Sequence, residues 1–326
     1  MNEKISVVMC TYNGAKYLEE QLDSIVNQSY PIYELIVQDD CSNDETVNIL
    51  KRYKEKYSFV YIFENEINLG VNDNFFSAIE RATGDYIAIS DQDDVWELDK
   101  LEKQINMIGS NLLCFCFSIP FSDTVKINID LREPNFQIER MLYISTIPGH
   151  TMLFKKHLVS LIPNIQKYSQ IFVYDFLVQI VAAAYDSIVF CANTKVNHRR
   201  FMEAVTYTKP ENYSKSVLNL FYNVRRTFLL YKELRLEIKR RLKNVYEMLS
   251  LLPNSSKNKI SAMKLAKYHM SNSLFDFLLL ERHCIKCRDK LFYAKEKNRL
   301  LAVLRALYFP ISCSDYFRYL SNDCKK

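Results

Sequence analysis

The sequence predicts an α/β fold with a mostly parallel sheet over residues 1–210, followed by a mainly α-helical, basic C-terminal region over 211–326. Three observations lead there. Short apolar runs of strand length alternate with amphipathic stretches through the first part, the pattern of strand–helix–strand units with a parallel sheet. All five glycines (Gly14, Gly70, Gly84, Gly109, Gly149) precede residue 150, whereas the last third is rich in Leu, Lys, Arg and Tyr. Charge divides the same way: residues 1–210 hold 19 Lys and Arg against 28 Asp and Glu, and residues 211–326 hold 24 against 10. An acidic part joined to a basic part implies different surfaces for different partners.

The elements follow in order. Ile5 to Cys10 is an apolar run of strand length, and after Asn13-Gly14 an amphipathic helix carries Leu18, Leu22, Ile25 and Val26 on one face, stopping near Pro31. Glu34 to Gln38 reads as the second strand. Ser42-x-x-Glu45 has the form of a capping box opening a helix with Val47 and Leu50. Phe59 to Phe63 is the third strand, and Asn68-Leu69-Gly70 turns into a helix bearing Phe75, Ala78, Ile79 and Ala82, ended by Gly84. Tyr86 to Ile89 is the fourth strand. Leu112–Phe117 is strand-like, Gly149–Phe154 is a strand or a turn into one, and Tyr174–Ala184 is helical. Val217–Leu252 and Asn258–Leu307 read as helices, with a domain boundary near 210.

Composition excludes several classes. Nearly half the residues are apolar and a quarter charged, as in folded globular proteins. Met1–Lys4 runs straight into a strand, so no signal peptide is expected. The apolar stretch Ile171–Ala192 contains Asp175, Gln179 and Asp186, which makes it a poor membrane span. Nine cysteines without regular spacing suggest free thiols in a reducing cytoplasm. Cys284 and Cys287 have a metal-ligand spacing but no second pair near them, with Cys313 and Cys324 far off, so they read as two thiols on a helix. No nucleic-acid-binding motif occurs. Neither G-x-G-x-x-G nor G-x-x-x-x-G-K-[ST] is present, which leaves no support for a dinucleotide fold or a P-loop.

The most informative segment is Asp91-Gln92-Asp93-Asp94, directly after the fourth strand. Three carboxylates at a strand end repel one another and are costly to dehydrate unless a positive charge sits among them. Mg²⁺ or Mn²⁺ answers that need, because these hard cations take oxygen ligands and keep positions open for phosphate oxygens. Ligands of open α/β sheets bind at the carboxyl ends of strands. Thr11-Tyr12-Asn13-Gly14 and Asp39-Asp40 end the first two strands, so three polar groups line one sheet edge. A lone strand-end Asp is usually a helix cap; three in succession suit a nucleotide, with its base on Asp40 and Thr11–Asn13 and its diphosphate on a cation held by Asp93.

Ser6-Val7-Val8-Met9-Cys10-Thr11-Tyr12-Asn13-Gly14, Val37-Gln38-Asp39-Asp40-Cys41-Ser42-Asn43-Asp44 and Ser90-Asp91-Gln92-Asp93-Asp94-Val95-Trp96 resemble, in order, the signatures of family 2 glycosyltransferases with the Rossmann-like GT-A fold, over roughly residues 4–210. The D-Q-D-D-V-W form and Pro148-Gly149-His150-Thr151-Met152-Leu153-Phe154 resemble the rhamnosyltransferase-like branch that builds surface polysaccharides. The resemblance implies that Thr11, Asn13 and Asp40 hold the nucleoside of a UDP- or dTDP-sugar, that Asp91 contacts the ribose, and that Asp93 with Asp94 holds Mn²⁺ or Mg²⁺ on the diphosphate. It implies Asp175, in Val173-Tyr174-Asp175-Phe176, as the general base of an inverting transfer. Family members often add a histidine to the metal shell. Here Asn197-His198-Arg199-Arg200-Phe201 leaves two readings open, His198 as that ligand or Arg199 and Arg200 gripping the diphosphate. Trp96 reads as packing behind the acidic loop, and His150 as either an acceptor contact or a loop histidine. The Q-x-x-R-W motif of processive synthases is absent, so transfer of a single sugar is expected.

The basic region has three readings: a surface for an anionic membrane leaflet, which suits a lipid-linked saccharide acceptor; a nucleic-acid surface, for which no motif appears; or a helical bundle with a solvated face or a homodimer surface. A cytoplasmic enzyme, peripheral on the inner face of the membrane, is the resulting expectation. Its rivals are a metal-dependent nucleotidyltransferase, which would carry a Gly-rich basic loop that Thr11–Gly14 does not offer, and a degenerate family member that binds nucleotide or membrane without catalysis.

Overall fold

Ile5, Val7, Val8, Met9 and Cys10 put apolar side chains on both sides of the backbone, and the strand Ile5–Thr11 that they form, β1, is buried along nearly its whole length. Such a strand must lie mid-sheet with helices on both faces. The computed structural model describes residues 3–122, 127, 129–200, 217–254, 256–292 and 297–320. Beside β1 lie β2 (Glu34–Asp39), β3 (Val60–Glu64) and β4 (Tyr86–Ser90), all parallel to it or to each other in the order β3-β2-β1-β4. Then β5 (Val95–Trp96), β6 (Leu113–Phe121), β7 (Met152–Lys155) and β8 (Ile188–Arg199) extend it to an eight-stranded sheet, ordered β3-β2-β1-β4-β7-β6-β8-β5. The antiparallel pairs are β4–β7, β6–β7 and β5–β8, so the sheet is mixed but mostly parallel.

The connecting helices are α1 (Ala15–Val26), α2 (Thr46–Lys56), α3 (Val71–Arg81), α4 (Lys100–Ile108) and α5 (Tyr174–Ala184). α1 buries Leu18, Gln21, Leu22 and Ile25, the three-and-four spacing of one helical face, into a core with Val7, Met9 and Val37. The capping box expected at Ser42–Glu45 is used otherwise. α2 begins at Thr46, the Ser42 hydroxyl donates to Asp39 Oδ1 at 2.6 Å, and Asp44 Oδ2 accepts from Ala15 N at 3.1 Å, satisfying the start of the neighbouring helix α1. The two loops that precede α1 and α2 are thereby tied together.

The chain folds as two compact units. One is Met1–Glu133, Ile147–Ala182 and Ser187–Tyr207; the other is Pro134–Thr146, Ala183–Asp186 and Thr208–Lys326. The boundary expected near residue 210 lies outside the described residues. The second unit holds α6 (Val217–Ser250), α7 (Lys257–Met270), α8 (Leu274–Lys286) and α9 (Arg299–Ser312). The helical stretch expected over 258–307 is divided where polar caps occur: Ser256, Ser273 and Asn298 each accept a backbone N–H of the first turn that follows. Its core includes Tyr143, whose hydroxyl meets His269 Nδ1 at 3.2 Å and whose ring meets Phe309 edge-on at 4.8 Å. Cys284 and Cys287 are buried thiols of this core, and no cluster with metal-ligand spacing includes them among the described residues.

Candidate metal and nucleotide site

Register brings two histidines to the acidic segment. In the antiparallel β4–β7 pair Ala88 faces Leu153, and extending that register by three residues sets Asp91 opposite His150. In the β5–β8 pair Val95 faces Asn197, and one further step sets Asp94 opposite His198. The side chains meet accordingly. His150 Nδ1 lies 3.1 Å from Asp91 Oδ2 and 3.4 Å from Asp94 Oδ2, and His198 Nδ1 lies 2.9 Å from Asp94 Oδ1. The two imidazoles stack at 4.6 Å between ring centroids. Asp94, His150 and His198 can each offer one ligand atom within 4.8 Å of the others.

The electrostatics of this cluster are those of a site built for positive charge. Burial and then the charges of Asp91 and Asp94 push the Asp93 carboxyl up to about 7. Asp94 is wholly buried, which alone would raise it, but His150 and the bond from His198 hold it below the usual carboxylate range. Burial alone would lower His150; Asp94 and Asp91 outweigh it and raise that imidazole. Asp94 Oδ1 accepts from His198 and from Arg199 N, while buried Oδ2 makes no hydrogen bond among the described residues and has His150 Nδ1 3.4 Å away. A buried carboxylate oxygen left in this condition is costly, and coordination of a cation would satisfy it. Carboxylate oxygen with imidazole nitrogen is a donor set that divalent first-row cations accept. The residues present therefore fit such a metal, with Asp94, His150 and His198 as the described cluster and Asp93 beside it.

The other sequence-predicted residues divide into two groups. Thr11, Asn13 and Asp40 gather at the carboxyl edge of β1 and β2, each bonded within that edge. Thr11 Oγ1 donates to Asp39 Oδ1 at 2.7 Å, and Asn13 Oδ1 accepts from Asn43 N at 2.9 Å. Asp40 accepts from Leu69 N at 2.7 Å, Gly70 N at 2.8 Å and Asn65 Nδ2 at 2.8 Å, so its carboxylate holds the start of α3. Gly70 sits at φ 80°, a conformation that favours glycine there.

Arg199 and Arg200 take different places. Arg199 Nε donates to the Asp93 carbonyl at 3.0 Å, Nη2 pairs with Glu20 at 2.5 Å, and its guanidinium lies 4.5 Å from both the Tyr17 and Phe121 rings. This buried sandwich braces the acidic loop from behind. Arg200 Nη1 lies 3.2 Å from His198 Nε2, and His198 Nδ1 faces Asp94. Asp175 lies in the first turn of α5, where the helix end favours a carboxylate. The preceding Tyr174 stacks on Phe75 at 4.1 Å, and its hydroxyl is raised by burial and then by the charges of Asp91 and Asp175, which flank it.

Two residues of the site carry little signal in sequence. Gln92 accepts from Tyr12 N at 2.9 Å and donates to Tyr12 O at 3.1 Å, fastening the acidic loop to the end of β1. A Cβ on Gly14 would stand 2.2 Å from Gln92 Oε1, so a larger residue there would push the end of the Gln92 side chain away from Tyr12. His150 was readable only as an ambiguous loop histidine; its Nε2 meets Ser118 Oγ at 2.9 Å and fixes the ring between Asp91 and Asp94. Trp96 is buried, with Lys100 Nζ 3.6 Å above its ring.

A mostly parallel sheet with carboxylates gathered beyond its strand ends defines the GT-A class. Residues 6–160, just under half of the chain, match glycosyl transferase family 2. It is 38% identical over 114 residues to TuaG of Bacillus subtilis, named for teichuronic acid biosynthesis, covering 35% of this chain and 45% of that one. It is 30% identical over 156 residues to the dTDP-rhamnosyl transferase RfbG of Shigella flexneri, covering 45% and 54%. The chain thus spans about half the length of these curated relatives. Among solved structures, S. aureus TarS in complex with UDP-GlcNAc aligns over 97% of this chain and 91% of its own at TM-score 0.56 and 16% identity, a likeness of fold.

Proposed function

We propose that this chain transfers a single sugar from a nucleotide-sugar donor to a saccharide acceptor, with inversion, in the synthesis of a cell-surface polysaccharide. The observation that carries the reading is the convergence of Asp91, Asp93 and Asp94 with His150 and His198 at one sheet edge. The names of the relatives, teichuronic acid biosynthesis and dTDP-rhamnosyl transfer, support a surface-glycan product and a dTDP-linked donor, with a UDP-sugar as the alternative. Residues 1–210 form the catalytic part in this reading.

Thr11, Asn13 and Asp40 line the edge that receives the nucleoside, and Asp91 reaches the ribose. Asp94, His150 and His198, with Asp93, would hold Mn²⁺ or Mg²⁺. A divalent cation in that position offsets the negative charge on the leaving nucleoside diphosphate. Arg199 and Gln92 keep the acidic loop in place while the donor binds. Asp175 takes the proton of an acceptor hydroxyl as its oxygen bonds to the anomeric carbon and the carbon–phosphate oxygen bond breaks on the opposite face. The acceptor is a glycan or a lipid-linked saccharide.

The test is calorimetric binding of UDP, dTDP and their sugars with and without Mn²⁺, in the parent and in Asp94→Asn, followed by donor hydrolysis in both. Metal-dependent nucleotide affinity that the substitution abolishes supports the reading. Affinity without turnover would leave a degenerate binding protein, and absence of any nucleotide affinity would overturn the site.

A further inference from the structure

The helical unit breaks the usual rule that a helix hides its apolar face. α9 buries Ala302, Ala306, Phe309 and Pro310, yet Leu300, Leu301 and Leu304 stand 48–68% exposed. α8 buries Leu280 and Cys284 and likewise turns Leu274, Phe275 and Leu278 outward, at 56–75%. On α6, half-exposed Phe228 lies 6.1 Å ring to ring from Tyr308, which follows Leu301 and Leu304 along the same face of α9, so the apolar surface continues across two helices. Single exposed leucines are ordinary; a grouping of this kind marks an interaction surface.

Charge says what covers it. Residues 256–320 carry 13 Lys and Arg against 5 Asp and Glu. Arg299 and Arg305 flank the leucines of α9; on α8, Arg282 and Lys286 follow the apolar residues and are balanced by Asp276 and Glu281, so the positive charge beside the apolar face is that of α9. Apolar side chains bordered by long cationic ones match the boundary of an anionic bilayer, where leucine and phenylalanine enter the acyl region and the cations reach phosphates. Arg299–Leu320 is, among the described residues, the one helical segment long and apolar enough to cross a membrane by length and composition, and only 39% of its apolar window is buried. Its inner side is already packed by Ala302, Ala306, Phe309, Cys313 and Phe317, and it contains Arg305, Asp315 and Arg318. These features favour lying on the bilayer over spanning it.

We propose that the outward faces of α8 and α9, with Phe228, dock this chain on an anionic lipid bilayer. The proposal is independent of the metal and of the donor, and it stands or falls apart from the glycosyltransfer reading.

Flotation of the full chain with phosphatidylcholine vesicles, with and without phosphatidylglycerol, tests it. The expected result is flotation with the anionic vesicles, weakened by salt and released by alkaline carbonate. Leu301→Glu with Leu304→Glu lowers the bound-to-free ratio roughly tenfold or more, since each substitution replaces a buried apolar contact by a repelled charge. Leu274→Ser with Phe275→Ser provides a second variant, and melting curves matching the parent show that both pairs fold. No flotation on anionic vesicles, flotation undiminished in both folded variants, or resistance to carbonate would each overturn the proposal. So would a concentration-dependent dimer that these substitutions dissolve without any vesicle binding, since a second copy would then cover the face.

Discussion

His150 and His269 are both sealed from solvent, one in each unit, and they ionise in opposite directions. Around His269 stand the Tyr143 hydroxyl, the Cys313 thiol at 4.0 Å and apolar walls; burial, followed by the nearby charge of Lys239, depresses it to about 4. Around His150 burial acts in the same direction, but Asp94 and Asp91 more than offset it. The lesson is that low exposure does not mark a functional histidine; the charge of its neighbours does. One unit spends its buried polar groups on packing, and the other gathers them at a strand edge where a ligand can use them.

The sharpest way to break this contrast is Asp94→Asn. It removes the charge that holds both histidines while nearly keeping the shape, and activity should fall by about a hundredfold or more, as when an electrostatic partner of the reacting group is lost. Melting temperature should move little. Unchanged turnover would mean that the acidic cluster is structural, like the core around His269.

The second effect is a pH dependence in the helical unit. The folded His269 titrates near 4 and the unfolded one near 6.5, so between those values the unfolded chain binds the proton and the folded chain does not. Stability is therefore full above about pH 6.5 and declines as pH falls toward 4, by roughly 2–3 kcal/mol. Urea melts of the parent and His269→Gln across this range check it, with a shallower slope expected in the variant.

Third, Gly14→Ala should displace Gln92 from Tyr12 and loosen the acidic loop, costing about 1–2 kcal/mol through overpacking. Nucleotide affinity should drop in parallel. Last and smallest is Lys100→Met. Lys100 is fully buried, its ammonium has no hydrogen-bond acceptor among the described residues, and burial lowers it to about 8 from 10.5. Below pH 8 the folded state carries that charge at a cost, so the substitution should stabilise by about 1 kcal/mol at neutral pH. The gain should shrink as pH rises from 8 to 10.5, where the folded amine is neutral and the unfolded one still charged. Differential scanning at both pH values would show it.

Much of the first unit was legible in the chain. The strands from Ile5 to Ser90 and the helices between them follow from short-range apolar spacing, which is a property of neighbours in sequence. The acidic segment was legible because three carboxylates at a strand end are conspicuous wherever they lie. Ser42–Glu45 shows the limit: its motif is local, but its groups were recruited by the end of β2 and by the loop before α1. The breaks that divide α7, α8 and α9 also follow local capping chemistry, in Ser256, Ser273 and Asn298.

Local sequence determined where strands end, where helices begin and where negative charge accumulates, because each depends on residues within a few positions of one another. Only the tertiary structure decided that His150 faces Asp91 and that His198 faces Asp94, partners 59 and 104 residues apart. Those meetings are set by the register of β7 on β4 and of β8 on β5, and register is a property of paired strands that neither strand carries alone.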